Sequence, residues 1–199
     1  ISASMNGFIY LWDYLGNIVS RVYTGYEYYS VPPQPVDINY DGKYELLMTS
    51  FEGVSTLLDA SGEILWQFEL GDDIFSLPLI CDINSDGDFD IVYCTLSGKV
   101  IYSDKFGNAR LISELKSRVL SNPAASDLYL SGIINIITAD ESGKMSIFDP
   151  DGNLVKQKEI PSEAFFSSPL VIGLYDNETA WSNKIFLVSS SGKVYRYDT

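Results

Sequence analysis

The stretch SLPLICDINSDGDFDIVYCTLSGKVIYSDKFGNARLISE, residues 76–114, decides the fold. It divides into four short apolar runs, 76–83, 90–95, 99–104 and 109–114, set off by turn residues. Each run has strand character and is too short to be an amphipathic helix, and the second is rich in Val, Ile and Tyr. Ser97-Gly98 separates the second run from the third, and Phe106-Gly107-Asn108 the third from the fourth. In both turns the glycine supplies the positive φ that a tight hairpin needs. The spacing predicts four antiparallel strands, A to D, following one another as a meander.

The same pattern recurs along the chain. Gly7, Gly53, Gly98, Gly143 and Gly192 are each followed five or six residues later by an aspartate: Asp13, Asp59, Asp104, Asp149 and Asp198. A Ser-x-Pro marker opens each strand A, at Ser30 to Pro32, Ser76 to Pro78, Ser121 to Pro123 and Ser167 to Pro169. Proline lacks a donor, which suits the first residues of a strand with no neighbour on its amide side. A unit of about 45 residues with four antiparallel strands and no helical period predicts an all-β fold, a β-propeller of four-stranded blades. The boundaries fall at a partial blade 1–29, complete blades 30–75, 76–120 and 121–166, and a partial blade 167–199. The chain begins at Ile1 in mid-strand, and the expectation is a portion of a larger ring, with closure of the two partial ends as the alternative.

Composition narrows the chemistry. Of 199 residues 46% are hydrophobic, enough for a core, and 27 acidic against 13 basic residues give a net charge of −14. Such a field repels phosphate backbones and anionic lipid, so no nucleic-acid partner is expected. No apolar run approaches the ~20 residues that cross a bilayer, and direct membrane insertion is not expected either. Histidine is absent, which removes Ser-His-Asp catalysis and His-ligated zinc. Cys81 and Cys94 are the two cysteines. A cross-strand disulfide is conceivable, but their counterparts in other copies, such as Val36 and Ala139, are small or apolar and favour core positions.

The A-to-B connections carry the sharpest chemical signal. Asp37-Ile-Asn39-Tyr-Asp41-Gly-Lys43-Tyr-Glu45 and Asp82-Ile-Asn84-Ser-Asp86-Gly-Asp88-Phe-Asp90 share oxygen side chains at positions 1, 3, 5 and 9 and a glycine at 6. This spacing wraps a short loop around a hard cation, with the main-chain carbonyl of position 7, Lys43 or Asp88, as a further donor. Calcium is the expected occupant, in a structural role. Position 12 is Met48 or Tyr93, so the loops are not EF-hands and position 9 has to close the shell. The competing reading is that Asp, Asn and Gly simply make turns. The third copy, Asp127 to Asn135, keeps the glycine without two of the carboxylates and is predicted to be an empty turn; the fourth, Gly173 to Lys184, is longer and scrambled.

The Asp-x-Asn-x-Asp-Gly-x-x-Asp/Glu loops entering an apolar strand resemble those of FG-GAP and VCBS propeller repeats. The segment Leu57-Leu-Asp-Ala-Ser-Gly-Glu-Ile-Leu-Trp66-Gln-Phe68 resembles a PQQ-type repeat. That resemblance implies an aspartate, a turn glycine and a tryptophan docking blade onto blade. It also implies a range of roles: a calcium-stabilised binding module, a quinoprotein-like enzyme, a polysaccharide lyase, or an assembly scaffold at the bacterial outer membrane.

In a propeller the D-to-A and B-to-C connections share the face opposite the A-to-B loops. There the sequence places Tyr26, Tyr28, Asp72 and Asp73 outside the apolar plug formed by Tyr29, Phe75, Leu120 and Phe166. Aromatics beside carboxylates stack on sugars or anchor proteins, so these four are the candidate ligand face. The leading expectation is a non-enzymatic module for a protein or glycan partner, at an extracellular, cell-surface or periplasmic location. Asn177-Glu-Thr179 is a glycosylation sequon that points weakly the same way.

Overall fold

Among the described residues there are five antiparallel sheets, and each arises from a local meander. The computed structural model describes residues 1–28, 31–176 and 180–199. The first sheet holds β1 (Ser2–Ala3), β2 (Phe8–Trp12) and β3 (Ile18–Tyr23). The second holds β4 (Gln34–Val36), β5 (Glu45–Thr49), β6 (Val54–Leu58) and β7 (Ile64–Glu69). The third holds β8 (Leu79–Cys81), β9 (Asp90–Cys94), β10 (Lys99–Ser103) and β11 (Ala109–Glu114). The fourth holds β12 (Ala124–Ser126), β13 (Asn135–Ala139), β14 (Lys144–Phe148) and β15 (Leu154–Glu159). The fifth holds β16 (Leu170–Asp176), β17 (Ala180–Val188) and β18 (Val194–Asp198). Within each sheet the order in space is the order in sequence. This is a β-propeller, and among the described residues there is no helix.

Strand B explains how the blades stack. In β5 and β9 every residue is buried, so successive side chains must serve opposite neighbours. Leu46 and Met48 pack with Ile9 of the first sheet, and Leu47 packs with Ile91 and Tyr93 of the third. Val92 and Cys94 turn the other way, onto Ile136 and Phe148. Each such side chain contributes roughly 1.5–3 kcal/mol of burial, and the apolar runs read along strand B are this two-sided core. Cys81 and Cys94 are both free thiols in this packing. Burial pushes Cys94 up to about 12, and burial with the charge of Asp90 pushes Cys81 up to about 11.

Strand A is shorter than expected. The run 76–83 yields only Leu79–Cys81 in the ladder, because Pro78 offers no donor and the serine of the marker takes over that end. Ser76 Oγ donates to the Cys94 carbonyl at 3.1 Å, Ser121 Oγ to Ala139 at 2.7 Å and Ser167 Oγ to Val188 at 2.8 Å. Each hydroxyl satisfies the last carbonyl of a strand B. Ser30 and Tyr29 lie outside the described residues, as does the sequon 177–179. The fourth A-to-B connection, expected as a scrambled loop, instead extends the hairpin: β16 and β17 pair from Leu170↔Phe186 out to Asp176↔Ala180.

At three of the five repeated B-to-C glycines, Gly53, Gly98 and Gly143, a close approach of backbone requires the residue. At Gly53, where φ is +75°, a Cβ would lie 1.9 Å from the Asp72 carbonyl oxygen. At Gly98 and Gly143 a Cβ would lie 2.4 Å from the Ser117 carbonyl oxygen and 2.5 Å from that of Ile160, each in the connector that leaves the same blade. The connectors and turns then join by main-chain bonds: Phe51 N donates to Glu27 O, Leu96 N to Asp73 O, Glu141 N to Arg118 O and Ser190 N to Ala164 O. This hydrogen-bonded belt links consecutive blades along one face.

Candidate functional site

The two A-to-B loops fold alike, and the fold follows from their side-chain oxygens. In the first, Asp37 Oδ1 accepts from Asp41 N at 3.0 Å and Oδ2 from Gly42 N at 3.0 Å. Asn39 Oδ1 accepts from the same Asp41 N at 2.9 Å, and Asp41 Oδ1 accepts from Lys43 N at 2.8 Å. The second repeats this set with Asp82, Asn84, Asp86 and Asp88 N, at 2.8–3.1 Å. Tyr40 and Ser85, at position 4, have φ of 59° and 62°, and the glycines at position 6 are also left-handed. Oxygens of positions 1 and 3 thus converge on one amide, side by side at the loop mouth.

Position 9 behaves differently from the sequence expectation. Glu45 and Asp90 are 4% and 2% exposed, and both turn inward rather than closing an outer shell. Glu45 Oε2 accepts from Ile38 N, and Asp90 Oδ2 from Ile83 N, both at 3.0 Å. Asp90 Oδ1 accepts from the Tyr102 hydroxyl at 2.6 Å, whose ionisation is pushed up by burial and by that carboxylate. Among the described residues neither Glu45 nor Asp90 forms an ion pair, and a buried carboxylate without a cation is costly. Asp88, by contrast, pairs with Lys105 at 2.7 Å. Among the described residues no three His, Cys, Asp or Glu side chains are grouped as metal donors. The side-chain oxygens left at the mouth of each loop belong to two aspartates and an asparagine. These are hard oxygens of the type calcium takes.

The third loop is a built-in comparison. Asp127 accepts from Ser131 N at 2.8 Å and Gly132 N at 2.7 Å, and Leu130 keeps the left-handed position 4 at 55°. Those amide bonds hold the Asp127 carboxyl below its usual range. The turn forms without Asn or Asp at positions 3 and 5. Asn135, at position 9, is buried with its Oδ1 lacking a partner.

The opposite face departs from the expected ligand site. Tyr28 is only 3% exposed and shares a hydrogen bond with Thr56 at 3.3 Å; it plugs the gap between blades and is not on a ligand surface. Tyr26 is half-buried against the same cluster. Asp72 is occupied as a latch. Its Oδ2 accepts from Thr95 Oγ1 at 2.6 Å, from Ser97 N at 3.1 Å and from Ser97 Oγ. Partial burial opposes ionisation there, but the Ser97 and Thr95 bonds hold its carboxyl below the usual range. Only Asp73 of the four is open to solvent. Glu163 repeats the latch two blades later, accepting from Lys193 at 2.6 Å, Ser191 at 2.7 Å and Tyr195 at 2.9 Å. Lys193 and the serine hydroxyls draw its carboxyl down to about 2.

Residues that sequence reasoning passed over lie on the A-to-B face. Tyr40 is 55% and Tyr44 67% exposed, and Tyr40 stacks on Phe89 of the next blade, centroids 5.1 Å apart and planes at 27°. Phe106, 69% exposed, comes from a C-to-D turn on the same side. The available signal was position 4: an aromatic held left-handed has its ring committed outward by the loop. On this side blades also dock through Trp66, whose Nε1 donates to Lys105 O at 3.0 Å while Gly107 approaches its ring. Asp13, Asp59, Asp104 and Asp149 are turn caps here; Asp59, for example, accepts from Ser61 N and Glu63 N at 2.9 and 2.8 Å.

No family model and no curated protein matches the chain. Solved structures do. BamB from Moraxella catarrhalis is similar over 98% of this chain and 53% of its own, with TM-score 0.68 and 18% identity. Sqt1 from Saccharomyces cerevisiae is similar over 98% and 54%, with TM-score 0.72 and 10% identity. BBS1N, solved in complex with ARL6DN, is similar over 98% and 59%, with TM-score 0.63 and 14% identity. At these identities the likeness shows the propeller fold alone, and the chain spans a little over half the length of the proteins it resembles.

Proposed function

We propose that this propeller is a non-enzymatic protein-binding module whose first two A-to-B loops are stiffened by calcium. The observation that carries this reading is the pairing, in the same loops, of preorganised oxygen donors with outward aromatic rings. Asp37, Asn39, Asp41 and the Lys43 carbonyl would hold one ion, and Asp82, Asn84, Asp86 and the Asp88 carbonyl the other. The ion would supply positive charge beside the buried Glu45 and Asp90 carboxylates and lock the loop backbone. It stabilises the blade by binding only the folded loop.

A protein partner is favoured over a glycan. BBS1N, a propeller of similar fold, was solved with a protein bound, and exposed aromatics on a rigid scaffold are typical protein anchors. Loops of this kind bind with micromolar to millimolar affinity, and an extracytoplasmic setting, where calcium is plentiful, is part of this reading. Calorimetric titration of chelator-treated protein with calcium tests the reading. Two equivalents should bind and raise the thermal midpoint, with one lost on Asp41→Ala and the other on Asp86→Ala. Absence of heat, with no shift of the midpoint, would reduce the loops to ordinary turns.

A further inference from the structure

We propose that the cleft between the two metal-type loops is the docking site, and that it takes a basic peptide segment carrying an apolar or aromatic anchor. The inference rests on the protein-binding reading above and gives it a place and a partner chemistry. The cleft has a volume of about 400 Å3 and is walled by Pro35, Val36, Tyr40, Tyr44, Ile80 and Phe89. Asp37 is the one ionisable carboxylate in its lining, and both of its oxygens already accept main-chain amides. The walls therefore offer rings and aliphatic surface, with the Tyr40 and Tyr44 hydroxyls as their principal remaining hydrogen-bonding groups. A sugar, whose hydroxyls need partners on every side, is poorly matched; a Leu, Phe or Trp side chain is well matched.

Charge selects the flanks of that segment. Asp37 lines the cleft, Asp82 and Asp88 are near enough for their charges to act on the Tyr40 hydroxyl, and Lys105 is already committed to Asp88. Two divalent ions would offset the loop carboxylates themselves and bring the net charge from −14 to −10, so the pull on a cationic segment comes from the field of the whole chain. A cationic segment is thus drawn toward this surface and an acidic one repelled. A second apolar depression, lined by Leu65, Trp66 and Phe106 and about 370 Å3 in volume, lies beyond the first loop, giving an extended segment a second foothold. Tyr40 supports the assignment from the backbone. A bulky residue at φ 59° is strained, and glycine there would relieve the strain while deleting the ring.

The test is selection from a phage-displayed random peptide library on the calcium-loaded protein, with the Tyr40→Gly and Tyr44→Ala variants as counter-targets. Both substitutions leave the core untouched, and the first suits its backbone better than tyrosine does, so lost binding is not lost folding. Enriched clones should carry Lys or Arg around an aromatic or leucine, weaken with salt, and bind each variant at least about tenfold less tightly, a change of about 1.4 kcal/mol. Clones that bind variant and wild type equally would overturn the cleft while leaving a protein-binding module with its site elsewhere. Clones without basic residues, or capture on a glycan array with no peptide enrichment, would also overturn the inference. Calcium stoichiometry, measured on the same samples, fails or holds independently of these outcomes.

Discussion

Replacing Gly53 by alanine should damage the propeller far more than replacing Gly71, although both are in the same blade and both have left-handed φ, +75° and +72°. An alanine held left-handed costs about 1–2 kcal/mol, partly offset by about 0.4–1 kcal/mol from a less flexible unfolded chain. At Gly71 nothing lies within 4 Å of the new Cβ, so the net loss should be about 1 kcal/mol. At Gly53 the Cβ would sit 1.9 Å from the Asp72 carbonyl oxygen. An ordinary C···O contact is about 3.3 Å, so the connector must retreat by more than an ångström. Overpacking of that kind costs about 1–3 kcal/mol. It also pulls on the Leu70 N to Gly53 O bond, 2.8 Å long, for about another 1 kcal/mol. The total is about 3–5 kcal/mol for Gly53→Ala. Urea unfolding followed by tryptophan fluorescence reads both variants against the parent. Equal losses at the two positions would refute the close-approach explanation of the repeating glycine.

Trp66→Phe should destabilise by about 2 kcal/mol, since it strands the half-buried Lys105 carbonyl and shortens the ring against Gly107; a loss below about 0.5 kcal/mol in the same unfolding experiment would deny the inter-blade docking role. Glu163 has a depressed folded value, about 2 against an ordinary 4.5, so its latch stabilises fully above 4.5 and fades as pH falls toward 2. The thermal midpoint of the parent should therefore fall through that window more steeply than that of Glu163→Gln, with the two converging near pH 2; parallel curves would contradict the latch.

The repeat was legible because its markers are backbone requirements. Gly53, Gly98 and Gly143 are demanded by close approach, and Asp59 and Asp104 by C-to-D turn capping, so they recur even where core residues vary. Strand B was legible because two buried faces leave an unbroken apolar run. Strand A was overestimated, since a proline and a serine delay the start of its ladder and the serine bond to the far end of the following strand B leaves no periodic trace. Tyr28 was misplaced because aromatic plugs and aromatic anchors have the same composition and differ only in burial. The two-faced character of the A-to-B loops was half visible: the oxygen pattern could be read, but not that Glu45 and Asp90 turn inward. The pairing of Tyr40 with Phe89 spans two blades, a contact that no local pattern encodes.

The account stands or falls on occupancy of the A-to-B loops, and anomalous diffraction from crystals grown with calcium reads that directly. The prediction is one peak at Asp37, Asn39 and Asp41, one at Asp82, Asn84 and Asp86, and none at the Asp127 turn, which has the same backbone without the donors. Empty density in the first two loops, or a peak at Asp127 as strong as theirs, would contradict it.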